Sequence, residues 1–206
     1  MFEAICEMTA GCQSEVLEQT IQLAVEIARE GREGRKIGTI FILCDEETVL
    51  QESHSLILDP LQGHSPELKK ISNYNMRETV KELAQLDGAF VISADGTILS
   101  AARYLNADSS GINLPLGLGT RHMAAAAMTR ATRSIAVVVS RSSVVRVFNH
   151  GEMVAEIIPE MWMLGRESIQ LEKPHVEQKT AGLHHRNPLP DDTLTMILAG
   201  GRRYHL

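Results

Sequence analysis

No apolar run in this chain approaches the roughly 18 residues that cross a membrane. The first eight residues carry Glu3 and Glu7, which a secretory leader avoids. Neither a membrane partner nor export is therefore expected, and the cytoplasm is the expected location. Cysteine is scarce: Cys6, Cys12 and Cys44 are odd in number and lack CxxC spacing. That pattern argues against a disulfide scaffold or a zinc framework and predicts reduced thiols. A basic surplus is missing too. With 20 Lys and Arg against 26 Asp and Glu, the formal net charge is −6, which argues against a general nucleic-acid binder. No helix-turn-helix, basic tail or internal repeat is visible.

One further absence points to something present. From Ser109 to Gly151 there is no acidic residue, yet Arg121, Arg130, Arg133, Arg141 and Arg146 all fall there. A local positive zone on an acidic protein suits a small polyanion such as a nucleoside triphosphate. The plainer reading of Arg130, Arg133 and Arg146 is a solvated helix face or strand edge. At 206 residues, 44% hydrophobic and 22% charged, the chain has the make-up of an ordinary globular domain. A core of that size needs no disulfide scaffold.

Hydrophobic periodicity predicts a helix over 14–30, with Ser14 as cap and Gly31 as stop. The apolar run 38–44 reads as a central strand, and 48–58 as a second extended region. Ser65-Pro66 reads as a helix start. Asn75, with Glu78 three residues on, reads as the cap of a helix through Leu86. Strands follow at 89–93 and 97–101, joined by the Asp95-Gly96 turn. A glycine-rich loop, 109–119, leads into an alanine-rich helix over 120–132. Strands are expected at 134–140, 144–149 and 154–158. Residues 165–192 are polar and carry Pro174, Pro188 and Pro190; they read as an extension, with one possible strand at 193–199. His175, His184, His185 and His205 match no standard zinc spacing.

Two segments concentrate the chemistry. Gly119-Thr120-Arg121-His122-Met123 sits at the mouth of the alanine-rich helix. A helix start presents unpaired N–H groups and a partial positive charge to a phosphate. Arg121 adds a forked donor and His122 a group able to bind metal or carry a proton. About thirty residues upstream, Asp87-Gly88-Ala89 opens an apolar run after a helical pattern. Alone, Asp87 is a turn aspartate beside a glycine, which is a common event. Thr120 equally suits helix capping, and a Tyr104-Leu105 pair after a strand equally suits ordinary core.

Together these segments resemble the diadenylate cyclase (DAC) domain family, which joins two ATP molecules into cyclic di-AMP. That family is marked by an Asp-Gly-Ala motif and by an Arg-His-Arg motif preceded by Gly-Thr. The first is intact at Asp87, Gly88 and Ala89, whereas the second reads Arg121-His122-Met123. The archaeal-type branch is the most similar, since it also tends to carry methionine there. The resemblance spans roughly residues 37–160. It implies a single α/β domain with a central mixed β-sheet flanked by helices. The expected division is an N-terminal helix and linker at 1–36, a cyclase domain at 37–164 and a C-terminal extension at 165–206.

The resemblance also implies roles. Asp87 activates the attacking 3′ hydroxyl and, with His122, holds Mn²⁺ or Mg²⁺; Arg121 completes the catalytic set. Gly88, Ala89, Tyr104, Leu105, Gly119, Thr120, Ser140 and Arg141 are expected to contact nucleotide, with Arg141 a replacement for the charge missing at Met123. One site holds one ATP, so two protomers must meet face to face, as a homodimer or a higher homo-oligomer. The alternative, motivated by Met123, is a protein that senses ATP or cyclic di-AMP without turning it over.

Overall fold

The computed structural model describes residues 5–6, 12–170, 195–197 and 203–205. The chain divides into a unit ending at Pro159 and a unit from Glu160 onward.

The first unit begins with α1, Ser14–Glu30, whose stripe of Val16, Leu17, Ile21, Ala24, Val25 and Ala28 is buried. Gly31 stops it, donating its N–H to Ile27 O. The strands are β1 (Thr39–Leu43), β2 (Ser53–Ser55), β3 (Ala89–Ile92), β4 (Ile98–Leu105), β5 (Ile135–Val139), β6 (Val145–Asn149) and β7 (Glu152–Ile157). They form one sheet in the order β2-β4-β3-β1-β5-β6-β7. Only β1 and β3 run parallel; every other pair is antiparallel. The expected mixed sheet is thus present.

The central strands β1, β3 and β5 are buried along their whole length, as a sheet covered on both faces requires. Side chains alternate between faces. Ile40, Ile42, Val91, Ala136 and Val138 pack with Ala125, Ala126 and Met128 of α4 (Thr120–Ala131). Ala125, Ala126 and Ala127 are fully buried, and their short side chains let the helix lie close on the sheet. Phe41 and Phe90 stack on the alternate face, 5.2 Å between ring centroids. Each large apolar side chain buried this way contributes roughly 1.5–3 kcal/mol. Helix α3 (Tyr74–Leu83) is tied to α1 by charge: Lys81 Nζ lies 3.1 Å from Glu26 and 3.4 Å from Glu30, and Arg77 lies 2.6 Å from Glu26.

Four details correct the sequence reading. Residues 46–51 form helix α2 (Glu46–Gln51), not extended chain. Its start is built by Asp45, which adopts a left-handed backbone, accepts the Thr48 hydroxyl at 2.7 Å and also accepts the Arg133 N–H at 2.8 Å. The cap of α3 is Asn73, whose side chain accepts the N–H groups of Asn75 and Met76, and the helix ends at Leu83. Pro66–Lys69 makes a 3₁₀ turn only. Cys12 and Cys44, expected as thiols, are joined as a disulfide with their Cα atoms 5.7 Å apart, while Cys6 is free and buried.

In the second unit, α5 (Pro159–Gln170) and a two-stranded antiparallel pair, β8 (Thr195–Ile197) with β9 (Arg203–His205), are described. The expected extension at 165–192 lies mostly outside the described residues. No helix among the described residues is long and apolar enough to cross a membrane.

Candidate active site

Parallel pairing of β1 with β3 puts their starts on one sheet edge, and their antiparallel neighbours β4 and β5 end there. Gly38 and Asp87 precede the two starts; Tyr104 and Leu105 close β4, and Ser140 and Arg141 follow β5. The mouth of α4 opens on the same edge. A cleft of about 200 Å³ results, lined by Ile40, Leu56, Asp87, Gly88, Arg103, Tyr104, Leu105, Thr120, Arg121 and Ala124.

Asp87 and Arg121 meet in it. Arg121 Nη2 donates to Asp87 Oδ1 at 3.2 Å, with the aspartate side chain 83% exposed. An exposed pair of this kind contributes roughly 0–1 kcal/mol, so either partner is readily surrendered to a ligand. Gly88 has φ +100°, and a Cβ there would sit 2.7 Å from Ala102 C and Arg103 N. The strand opposite is bulged: Ala89 pairs with Arg103 but Val91 with Ser100, leaving one extra residue on β4. Ala102 accordingly takes φ +53°. The bulge carries Arg103 and Tyr104 to the cleft.

Arg103 faces the cleft with its donors engaged. Its guanidinium bonds Ser53 Oγ at 2.8 Å, Ser53 O at 2.7 Å and Leu50 O at 3.1 Å, and reaches Ser100 Oγ at 3.4 Å. Ser100 in turn bonds Asp59. The arginine clamps β4 to the α2–β2 turn.

Gly119 caps α4 in an extended conformation, so no side chain caps the helix. His122 N and Met123 N bond back to Gly119 O at 3.0 and 3.2 Å. His122 turns inward and is 6% exposed. Its Nε2 lies 3.4 Å from Arg146 Nη1, and its ring 6.1 Å from that of Phe148. Arg146 is itself held by Glu156 at 2.7 Å. Burial first, and the Arg146 charge second, hold His122 below the usual histidine range. A guanidinium only donates, so Nε2 accepts and Nδ1 carries the proton; that Nδ1 is buried with no hydrogen-bond partner among the described residues.

The structure therefore brings Asp87, Gly88, Tyr104, Leu105, Thr120 and Arg121 to one cleft. Ala89 is buried in β3 beneath it, Gly119 stands exposed at the helix mouth, and His122 lies on the core side. Ser140 Oγ serves the β5–β6 turn, donating to Val144 O at 3.0 Å and lying 2.7 Å from Ser142 Oγ. Arg141 joins the edge differently: a Cβ at Gly38 would sit 3.5 Å from Arg141 Cγ and 3.3 Å from Arg121 Nη1, so both arginines flank a position without a side chain. Arg130 holds loop carbonyls of Asp108 and Ser110 at 2.9 and 2.8 Å.

Sequence reasoning missed Ile40, Leu56, Arg103 and Ala124 as lining residues. Ala124 was within reach, since it follows Thr120 by one helical turn and shares its face. Arg103 was hidden by the bulge.

A carboxylate and a guanidinium thus face one another beside a helix mouth, in an α/β domain whose cleft is also lined by Ile40, Leu56 and Leu105. The chain matches the profile of the DisA bacterial checkpoint controller nucleotide-binding (DAC) family over residues 26–153. It is 44% identical over 160 residues to a diadenylate cyclase of Methanocaldococcus jannaschii, covering 77% of this chain and 49% of that protein. It is 40% identical over 148 residues to a diadenylate cyclase of Haloferax volcanii, covering 71% and 54%. The chain thus belongs to the DAC family, while spanning about half the length of the curated relatives it matches. A solved structure titled as a hypothetical membrane spanning protein from Bacillus cereus shares the fold, with TM-score 0.50, 19% identity, and coverage of 68% of this chain and 62% of that one.

Proposed function

We propose that the protein is a diadenylate cyclase, condensing two ATP into 3′,5′-linked cyclic di-AMP and two pyrophosphates. The observation that carries this reading is the Asp87–Arg121 pair at 3.2 Å, formed across the cleft from the β3 start and the α4 mouth. Family membership and the curated cyclase relatives support it.

In each half-reaction the 3′ oxygen of one nucleotide bonds the α-phosphorus of the other. The bond to the bridging oxygen breaks and pyrophosphate leaves. Asp87 accepts the hydroxyl proton. Arg121, released from Asp87, donates to phosphate oxygens where negative charge builds. The N–H groups at the α4 mouth and Thr120 hold the phosphate chain, and Arg141 lends charge from beyond Gly38. Ile40, Leu56, Tyr104 and Leu105 form the apolar walls for adenine. His122, bonded to Arg146, steadies the first turn of α4 beneath Arg121.

Among the described residues no three His, Cys, Asp or Glu side chains cluster as a metal cage. That suits Mn²⁺ or Mg²⁺ held by the Asp87 carboxylate together with substrate phosphates. When bound, the ion supplies charge neutralisation and acidifies the attacking hydroxyl. His122 as oriented offers neither nitrogen to the cleft, so Asp87 is the protein ligand in this reading. The cleft of about 200 Å³ falls below the roughly 300–1,000 Å³ of common small-molecule sites. A second protomer facing the first would complete it and present the second ATP.

The test is incubation with ATP and either metal, followed by chromatography and mass analysis. Cyclic di-AMP is expected from the parent. Asp87→Asn should lose it by at least about a hundredfold without loss of thermal stability. ATP bound but unchanged with both metals would overturn the cyclase reading in favour of a sensor.

A further inference from the structure

Tyr104 lines the cleft yet is 53% exposed. A tyrosine ring so placed would ordinarily sample several rotamers, and a ligand stacking on it would have to freeze one. Three observations indicate that the ring is held before any ligand arrives. His54 of β2 stands directly opposite Tyr104 in the β2–β4 register, so the two side chains share a sheet face. Their ring centroids lie 5.2 Å apart with planes tilted by 36°, within the range of attractive aromatic pairs. His54 is exposed and is tethered by one hydrogen bond, its Nδ1 lying 3.0 Å from Oδ1 of the exposed Asn106. That amide oxygen only accepts, so Nδ1–H donates. Asn106 is anchored through its backbone N–H to Glu52 O at 2.9 Å.

We infer that His54, braced by Asn106, is a positioning residue that sets the Tyr104 ring as the wall against which the base stacks. The inference rests on the reading that the base lies against Tyr104. The edge strand β2, Ser53–Ser55, carries no apolar side chain; besides receiving Arg103 at Ser53, it presents His54 to Tyr104. β2 brings an aromatic buttress to the far side of the ring. Pre-ordering a ring raises affinity by cutting the entropy lost on binding, and it leaves the reacting atoms untouched.

The consequence is a split between binding and turnover. His54→Ala should raise both KM for ATP and Kd for a non-cleavable α,β-methylene analogue by about two- to tenfold, with kcat at saturating ATP changed less than twofold. His54→Phe, which keeps a ring and drops the Asn106 bond, should recover most of the affinity. Asn106→Ala should fall between. Tyr104→Ala is measured alongside, with thermal melts for all variants. If Tyr104→Ala binds the analogue weakly while His54→Ala binds like the parent, the buttress is refuted and the base site stands. If Tyr104→Ala itself binds like the parent, the base reading fails and the inference falls with it. Loss of affinity in His54→Ala that Phe does not restore, accompanied by a lowered Tm, would make the residue merely structural and also overturns the proposal.

Discussion

Replacing Gly88 by alanine probes the hinge on which the cleft is built. The glycine combines φ +100° with a backbone of β4 so close that a Cβ would lie 2.7 Å from Ala102 C and Arg103 N and 2.9 Å from Ala102 Cα. Holding an L-residue in that conformation costs about 1–3 kcal/mol. Relieving the contact costs a further 1–3 kcal/mol or so, as overpacking does. The opposing backbone has little freedom to retreat. Ala102 O accepts the Leu56 N–H at 2.9 Å, and the Arg103 side chain is clamped to Leu50 O and Ser53. A loss of about 3 kcal/mol is expected, out of the roughly 5–15 kcal/mol that stabilises a typical domain, lowering Tm by about 6–12 °C. Gly63→Ala separates the two contributions, because Gly63 has φ +83° but nothing within 4 Å of a built Cβ. It should cost about 1 kcal/mol. Urea unfolding followed by circular dichroism, with both variants side by side, gives the difference directly. Equal stability of the two variants would refute the close-contact argument.

Two further outcomes are expected. Hydrogen bonds from Lys70 first, then from Ser93 and Thr97, hold the Asp95 carboxyl well below its ordinary value of 3.8. Its contribution to stability is therefore present above that value and is lost as pH falls through the depressed folded pKa; urea titrations at pH 7 and pH 2.5 should show a larger loss for the parent than for Asp95→Asn, and equal losses would remove Asp95 from the account. The Cys12–Cys44 bond closes a sequence separation of 32, which chain entropy values at about 3–4 kcal/mol; denatured protein should titrate one thiol before reductant and three after, with stability falling by up to that amount, and three thiols without reductant would exclude the bond.

The elements carried by strong periodicity were legible: α1, the wholly apolar strands β1, β3 and β5, and the alanine-rich α4. What escaped was set by side chains acting on local backbone. Residues 46–51 read as extended until Asp45 supplies a left-handed turn and a bond to Thr48. Asn73 and Asn75 are equally good caps on paper, and the choice between them is made by which amide reaches the N–H groups of Asn75 and Met76. In the cleft, Asp87, Thr120 and Arg121 were legible because two motifs marked them, whereas Arg103 was hidden by the bulge. Of the apolar lining, Tyr104 and Leu105 were named through the resemblance, but Ile40 and Leu56 were not, because they look like any strand or loop residue. His122 was read as facing ligand. Successive side chains at a helix start point about 100° apart, and here Arg121 faces the cleft while the His122 ring turns toward Arg146 and Phe148.

The cleft draws its wall residues from Ile40 through Ala124, and the sheet register that assembles them links Thr39 with Val139. No stretch of neighbouring residues can therefore form the cleft alone. A growing polypeptide that has emerged only as far as β4 carries Asp87, Tyr104 and Leu105 but lacks Thr120 and Arg121 at the mouth of α4. The cleft is complete only once α4 and β5 have been made and β5 has paired with β1.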